Sequence, residues 1–235
     1  MIREYGKSFS PALNRIMEYL IFGSGGSPCL IFPTSMGRFY QYEDFSMVYT
    51  LSSRLDSGRI QLFCVDSIDA ESWYNKSVSF STRAGRHGQY ERYILEEFIP
   101  FIRSRNAGSL TVSGCSFGAY HSMNFACKHP EFFHRALAMS GKYELKFLTD
   151  GYYDNAIYFN SPLDFLPNLQ DRRYLDPLRR MEIVLLAGDE NDVCYPSTMA
   201  LSRILNDKGI PHTLDIWRNA VHDWPVWKQM ALKYF

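Results

Sequence analysis

The sequence predicts an α/β protein with a mostly parallel sheet, and three observations carry that prediction. Short apolar runs alternate with amphipathic stretches of about a dozen residues, the pattern of strands joined by crossover helices. Runs such as IQLFCV (60–65) and EIVLLA (182–187) are almost wholly apolar, as strands buried on both faces of a parallel sheet are. Near the start, two apolar runs flank a turn-rich Ser-Gly-Gly-Ser-Pro segment, which predicts one antiparallel hairpin at the edge.

In chain order, residues 15–23 and 29–33 are the two strands of that hairpin. Phe45, Val48, Tyr49 and Leu55 recur at helical spacing and predict a helix over 43–55. Residues 60–65 form the next strand, and a polar and aromatic segment follows over 66–88. A helix is expected over 89–104, with Tyr93, Ile94, Phe98 and Ile102 on one face. Residues 109–113 form a strand, and 117–128 a helix that stops before Pro130. After a strand at 136–140, residues 141–180 are irregular, aromatic and turn-rich. The alternation then resumes with strand 182–187, helix 196–207, strand 212–217 and a closing helix at 225–234. No composition break or repeat divides the chain. One domain over 1–235 is expected, with an aromatic-rich insertion at about 141–180.

Composition excludes several function classes. The 25 Lys+Arg balance 25 Asp+Glu among 235 residues, whereas nucleic acid or an anionic membrane would favour a basic excess. An aromatic fraction of 16% argues against disorder. The first residues lack the apolar core of a secretory signal, and runs such as 183–187 fall far short of the roughly 20 residues a membrane helix needs. Five scattered cysteines without a CxxC pair are expected to be reduced thiols in a cytoplasmic protein. The dispersed histidines predict no metal, and the glycine-rich turn lacks the Lys-Ser/Thr of a phosphate loop, so no cofactor is expected.

One motif points to chemistry. Gly114-Cys115-Ser116-Phe117-Gly118 follows a predicted strand and opens a predicted helix, the context a nucleophile elbow requires. The sharp turn exposes the serine oxygen at the C-terminal edge of the sheet, near the positive end of the helix. A serine hydroxyl needs a base to become a useful nucleophile. In this chain order the histidine comes last, after an acid. His212 lies inside a strand pattern and reads as structural, whereas His222 occupies the loop between the last strand and the last helix. The acid must orient the imidazole. The loop after strand 182–187 offers Asp189, Glu190 and Asp192, and the spacing leaves Asp189 and Asp192 open. Asp223 reads as a cap or local loop bond. For the oxyanion, the Phe117 N–H is one expected donor; Thr34, Ser35 and Met36 supply the second, with Ser35 and Met36 favoured.

Aromatic residues on the same edge of the sheet are candidates for substrate contact. Trp73 and Tyr74 follow strand 60–65, and the insertion carries Tyr143, Phe147, Tyr152, Tyr153, Tyr158 and Phe159. Trp73, Tyr74, Tyr152 and Tyr153 are taken as the substrate-binding set. Arg83, Arg86, His87 and Arg92 read as a solvated basic surface.

These motifs resemble the putative esterase family of α/β-hydrolases, which includes S-formylglutathione hydrolase, enterochelin esterase, feruloyl esterases and mycolyltransferases. The resemblance covers most of the chain. It rests on Gln89 to Tyr93 with Glu97 and Pro100, on Gly114 to Gly118, on Gly188 to Asp192 with Pro196, and on His222-Asp223-Trp224 with Trp227. It implies an α/β-hydrolase fold with a sheet of about eight strands, an antiparallel N-terminal hairpin and helices on both faces. It also implies Asp192 as the acid, since the acid of relatives commonly stands four residues before a proline. The chain departs from the family at Pro33-Thr34-Ser35, where His-Gly is usual, and at Cys115, a position often held by His, Asn or Glu. The expected activity is cleavage of a small-molecule carboxylic ester or thioester through an acyl-enzyme on Ser116, with His222 and Asp192. An acyltransferase with the same triad and a binding protein that keeps the fold are the alternatives. Partners are expected to be the ester substrate, with neither nucleic acid nor membrane; self-association is left open.

Overall fold

The computed structural model describes all 235 residues. Its centre is one eight-stranded sheet: β1 (Arg3–Ser10), β2 (Arg15–Phe22), β3 (Ser27–Phe32), β4 (Ile60–Val65), β5 (Thr111–Cys115), β6 (Arg135–Met139), β7 (Glu182–Gly188) and β8 (Thr213–Trp217). The spatial order is β1-β2-β4-β3-β5-β6-β7-β8. β1 and β2 form an antiparallel hairpin, β2 joins β4 antiparallel, and every pair from β4 to β8 is parallel.

Alternation of side chains across the strands separates two apolar layers. Leu30 and Phe32 of β3, Phe63 and Val65 of β4, and Ile183 and Leu185 of β7 enter a cluster of 35 buried residues on one face. Their neighbours Cys29, Ile31, Leu62, Cys64, Val184 and Leu186 enter a cluster of 22 on the other. The larger layer is covered by the helical stretch from Phe80 to Arg105 and by helices Phe117–Lys128, Arg172–Arg180 and Tyr195–Asp207. The smaller is covered by the short helices between Gln41 and Asp56 and by Trp224–Tyr234.

Three sequence expectations are corrected. The hairpin partner of β2 is β1; β3 is separated from β2 by β4, because the connection crosses over instead of turning back. The expected helix over 43–55 is three short helices, Gln41–Asp44, Met47–Thr50 and Ser52–Asp56, interrupted at Ser46 with φ +61°. The helix before β5 starts at Phe80, capped by Ser79 accepting the Thr82 N–H, and passes through a π-helical turn at Tyr93–Phe98 just before Pro100. The insertion folds as the short helices Asn155–Phe159 and Pro162–Phe165 followed by Arg172–Arg180. All five cysteines are buried and unpaired. No helix is long and apolar enough to cross a membrane.

Candidate active site

β5 is buried along its whole length and leads directly into Ser116, whose φ of +56° and ψ of −119° form the strained turn into helix Phe117–Lys128. Such backbone needs close approach on both sides. A Cβ at Gly118 would overlap the Phe32 carbonyl oxygen, and one at Gly114 would strike the Gly118 backbone. Only glycine lets the elbow settle against β3. Phe117 is the first residue of its helix, so its N–H is among those with no acceptor within the helix.

The loops after β7 and β8 converge on this serine. Nε2 of His222 lies 3.0 Å from Ser116 Oγ, and Nδ1 lies 2.8 Å from Oδ1 of Asp192. The Asp192 carboxylate is buried. It also accepts the Cys194 N–H at 2.9 Å and the Gly188 N–H at 3.1 Å. Burial alone would push its pKa up; hydrogen bonds from His222, from Ser140 and from the two amides outweigh that and hold it below the usual aspartate range. The second acid left open by the sequence does something else: Asp189 Oδ1 accepts the Asn219 N–H at 2.7 Å and so braces the histidine loop. Asp223 caps the last helix, accepting the Trp224 N–H, and His212 is held by Ser202 and the Ile210 carbonyl.

Near the acid, Ser140 carried no sequence signal for a role here, and Trp227 entered only through the family resemblance. Ser140, at φ +57°, is buried and accepts the Trp227 Nε1–H at 3.1 Å. The Trp227 ring stands edge-on to His222 at 4.9 Å and 89°, which fixes the imidazole plane from one side. Asp192, Cys194 and His222 are also the one grouping of side chains whose donor atoms lie close enough to hold a metal. Burial pushes the Cys194 thiol up to about 12, so it stays protonated, and Asp192 is already saturated with donors. The donor set does not suit a cation.

In the loop after β3, Thr34 N–H is taken by Gln41 Oε1 at 2.8 Å, and Gly37 N–H by the Thr34 carbonyl. Met36 N–H is taken by Asp69 Oδ2 at 3.0 Å. This corrects the expectation for Met36, whose amide is spent inside the protein. The Ser35 N–H engages no acceptor, and Tyr74 donates its hydroxyl to Ser35 Oγ at 2.9 Å.

The substrate-binding set divides. Tyr74 stands edge-on to Phe117 at 5.3 Å, beside the elbow. Trp73 is corrected: it is only 2% exposed, packed with Phe117, Tyr120, Leu145 and Ile157, and presents no surface to a ligand. Tyr152 stacks on Phe80 at 5.0 Å and donates to Asp154. Tyr152 and Tyr153 line a cavity of about 440 Å³ with Lys146, Thr149 and Gly151, which Ser116 does not line. The supposed basic surface is corrected in part, since only Arg92 is solvent-exposed as expected. Arg83 and His87 are buried, Arg83 lying over the Phe80 ring, while Arg86 pairs with Glu71.

No curated protein matches the chain in sequence. Solved structures match its fold along almost the whole length. A ferulic acid esterase superposes with a TM-score of 0.79 at 16% identity, covering 99% of this chain and 96% of that one. The S-formylglutathione hydrolase of Agrobacterium tumefaciens gives 0.74 at 13% identity, covering 99% and 92%. The fluorophosphonate-binding serine hydrolase F of Staphylococcus aureus gives 0.67 at 15% identity, covering 99% and 96%. These likenesses establish the α/β-hydrolase fold. The family model described as "Putative esterase" matches residues 42–232, most of the chain and every residue from the elbow to His222. The chain therefore belongs to the Putative esterase family.

Proposed function

We propose that this esterase cleaves a carboxylic ester or thioester of a small molecule through an acyl-enzyme on Ser116. The carrying observation is the unbroken line of hydrogen bonds from Asp192 to His222 to Ser116, at 2.8 and 3.0 Å. In this reading Oγ of Ser116 attacks the carbonyl carbon while Nε2 of His222 accepts its proton. Asp192 holds Nδ1–H and stabilises the imidazolium. The tetrahedral oxyanion is met by the N–H groups of Phe117 and Ser35. Collapse breaks the bond to the alcohol or thiol, which leaves with the proton from His222. Water then repeats the sequence on the acyl-enzyme, releasing the acid and free Ser116.

The substrate is read as apolar near the ester. Exposed apolar side chains directly neighbour the three loops in sequence: Met36 beside Ser35, Val193 beside Asp192, and Val221 beside His222. Five unpaired buried thiols support a reducing, cytoplasmic setting.

The test is covalent labelling with a fluorophosphonate probe together with hydrolysis of p-nitrophenyl acetate. The wild type should label stoichiometrically on Ser116 and turn over the ester, and Ser116→Ala should do neither. A well-folded wild type that fails to label would leave a binding protein as the better reading.

A further inference from the structure

The loop after β3 holds its shape through side chains outside itself. Met36 lies at φ +58°, a left-handed conformation that a residue bearing a Cβ resists. Its N–H is held by Oδ2 of Asp69 at 3.0 Å. Asp69 is 2% exposed, and its other oxygen lies 3.3 Å from Nε2 of His121, itself 1% exposed. His121 sits on the helix that begins directly after Ser116, with its ring edge-on to Phe117 at 4.7 Å. Nδ1 of His121 is buried without a partner, so Nε2 carries the proton that Asp69 accepts. Two side chains thus tie together the segments that follow β4, β3 and β5, three neighbours in the sheet.

Simple packing does not account for this pair. A buried carboxylate is costly to desolvate, and accepting one amide requires no charge. The pair also sits where strain concentrates: Met36 and Ser116 both have positive φ, and the two N–H groups without acceptors, those of Ser35 and Phe117, adjoin them. On the esterase reading above, we infer that Asp69 and His121 are positioning residues for the oxyanion hole. By occupying the Met36 amide and fixing its left-handed turn, they leave the Ser35 N–H as the loop's donor and hold it in register with the Phe117 N–H. Neither side chain touches the substrate. His121 couples the loop to the helix that carries the Phe117 donor, so both donors move as one body.

The experiment compares p-nitrophenyl acetate with its thiono counterpart, in which sulfur replaces the carbonyl oxygen. Sulfur accepts hydrogen bonds poorly, so the thiono ester draws little from an oxyanion hole. Asp69→Ala should lower kcat on the oxygen ester by at least about tenfold, toward the roughly 10²–10³-fold that loss of one oxyanion donor costs. KM should stay within about threefold. The thiono ester should lose far less, so the ratio of the two kcat values collapses. Asp69→Asn keeps an acceptor for the Met36 amide and should restore most of the activity. His121→Phe preserves a ring in the aromatic cluster, removes the donor to Asp69, and should shift the ratio the same way even where Asp69→Ala does not fold. Equal losses on both esters, or wild-type kcat in both variants, would overturn the inference while the esterase reading stands. A wild type that hydrolyses neither ester overturns that reading and this inference with it.

Discussion

Oδ1 of Asp192 lies 2.8 Å from Nδ1 of His222, while Asp189 turns away to the amide of Asn219. One loop therefore carries two aspartates with separable tasks. Asp192→Asn should lower kcat by up to about 10⁴-fold, because an amide cannot hold the imidazole tautomer or stabilise its charged form. Asp189→Asn keeps an oxygen for the Asn219 N–H and should leave kcat within a few-fold. Steady-state hydrolysis of p-nitrophenyl acetate by the two purified variants decides it. The reverse ranking would remove Asp192 from its proposed role.

Gly118 makes the closest approach in the elbow, against the carbonyl oxygens of Phe32 and Pro33. Those oxygens belong to backbone at the end of β3, which cannot swing aside as a side chain would. Gly118→Ala should therefore destabilise the fold by about 1–3 kcal/mol, the usual cost of overpacking. It should also displace the Thr34–Gly37 loop and lower kcat. Urea unfolding and ester kinetics on one preparation would test both. Wild-type stability would mean the Phe32–Pro33 backbone yields more readily than its burial suggests.

From β5 onward the strands, and the helices at 117–128, 195–207 and 224–234, were legible in sequence to within a residue or two because each is a short apolar run or a clear helical stripe, whereas the three helices inside 141–180 were read as irregular. β1 was not, since REYGKSFS is an edge strand with mostly exposed side chains and no apolar pattern. The β2–β4 pairing was missed for a different reason: alternation marks a strand but does not say which strand lies beside it. The first turns of the helix before β5 contain Gly85, Gly88 and several polar residues, and packing overrides that weak propensity.

In the site, Ser116, His222 and the acidic loop were visible because motif and chain order are local. The choice between Asp189 and Asp192 depended on where a loop bends, and spacing alone did not decide it. Asp69 was invisible: its partners, Met36 and His121, lie 33 and 52 residues away in sequence. Trp73 misled because an aromatic on the correct edge of a sheet can equally well face inward.

The contrast between Trp73 and its neighbour is itself testable. Trp73 lies in a small core cluster, so Trp73→Ala should cost about 3–5 kcal/mol of stability, the range for removing a large buried aromatic. Tyr74→Phe removes only the hydroxyl that bonds Ser35 Oγ. It should leave stability within about 1 kcal/mol and change kcat/KM only a few-fold. Thermal melts and kinetics on both variants would separate packing from contact with substrate. A raised KM with unchanged stability in Trp73→Ala would return that residue to the substrate-binding set.

Two buried groups should shape the acid limb of stability in separate pH windows. His87 is wholly buried between Trp73 and His121, with neither ring nitrogen partnered, and burial, reinforced by His121, pushes its pKa well below the usual imidazole range. The unfolded chain takes up this proton near pH 6.5, whereas the folded protein does so only further down. The unfolded state therefore binds more protons in between, and stability is lost as pH falls below about 6.5. Glu91 behaves as a depressed acid. Burial opposes ionisation, but the hydrogen bond from His129 and the charge and hydrogen bond of Lys128 prevail and hold it at about 2. Its contribution is complete above the unfolded value near 4.3 and disappears as pH falls through about 2. Urea unfolding across this range should show two declines. His87→Phe should chiefly flatten the upper one, and Glu91→Gln should reduce the lower one, to which the depressed Asp192 also contributes. An unchanged upper decline in His87→Phe would assign that window to another group.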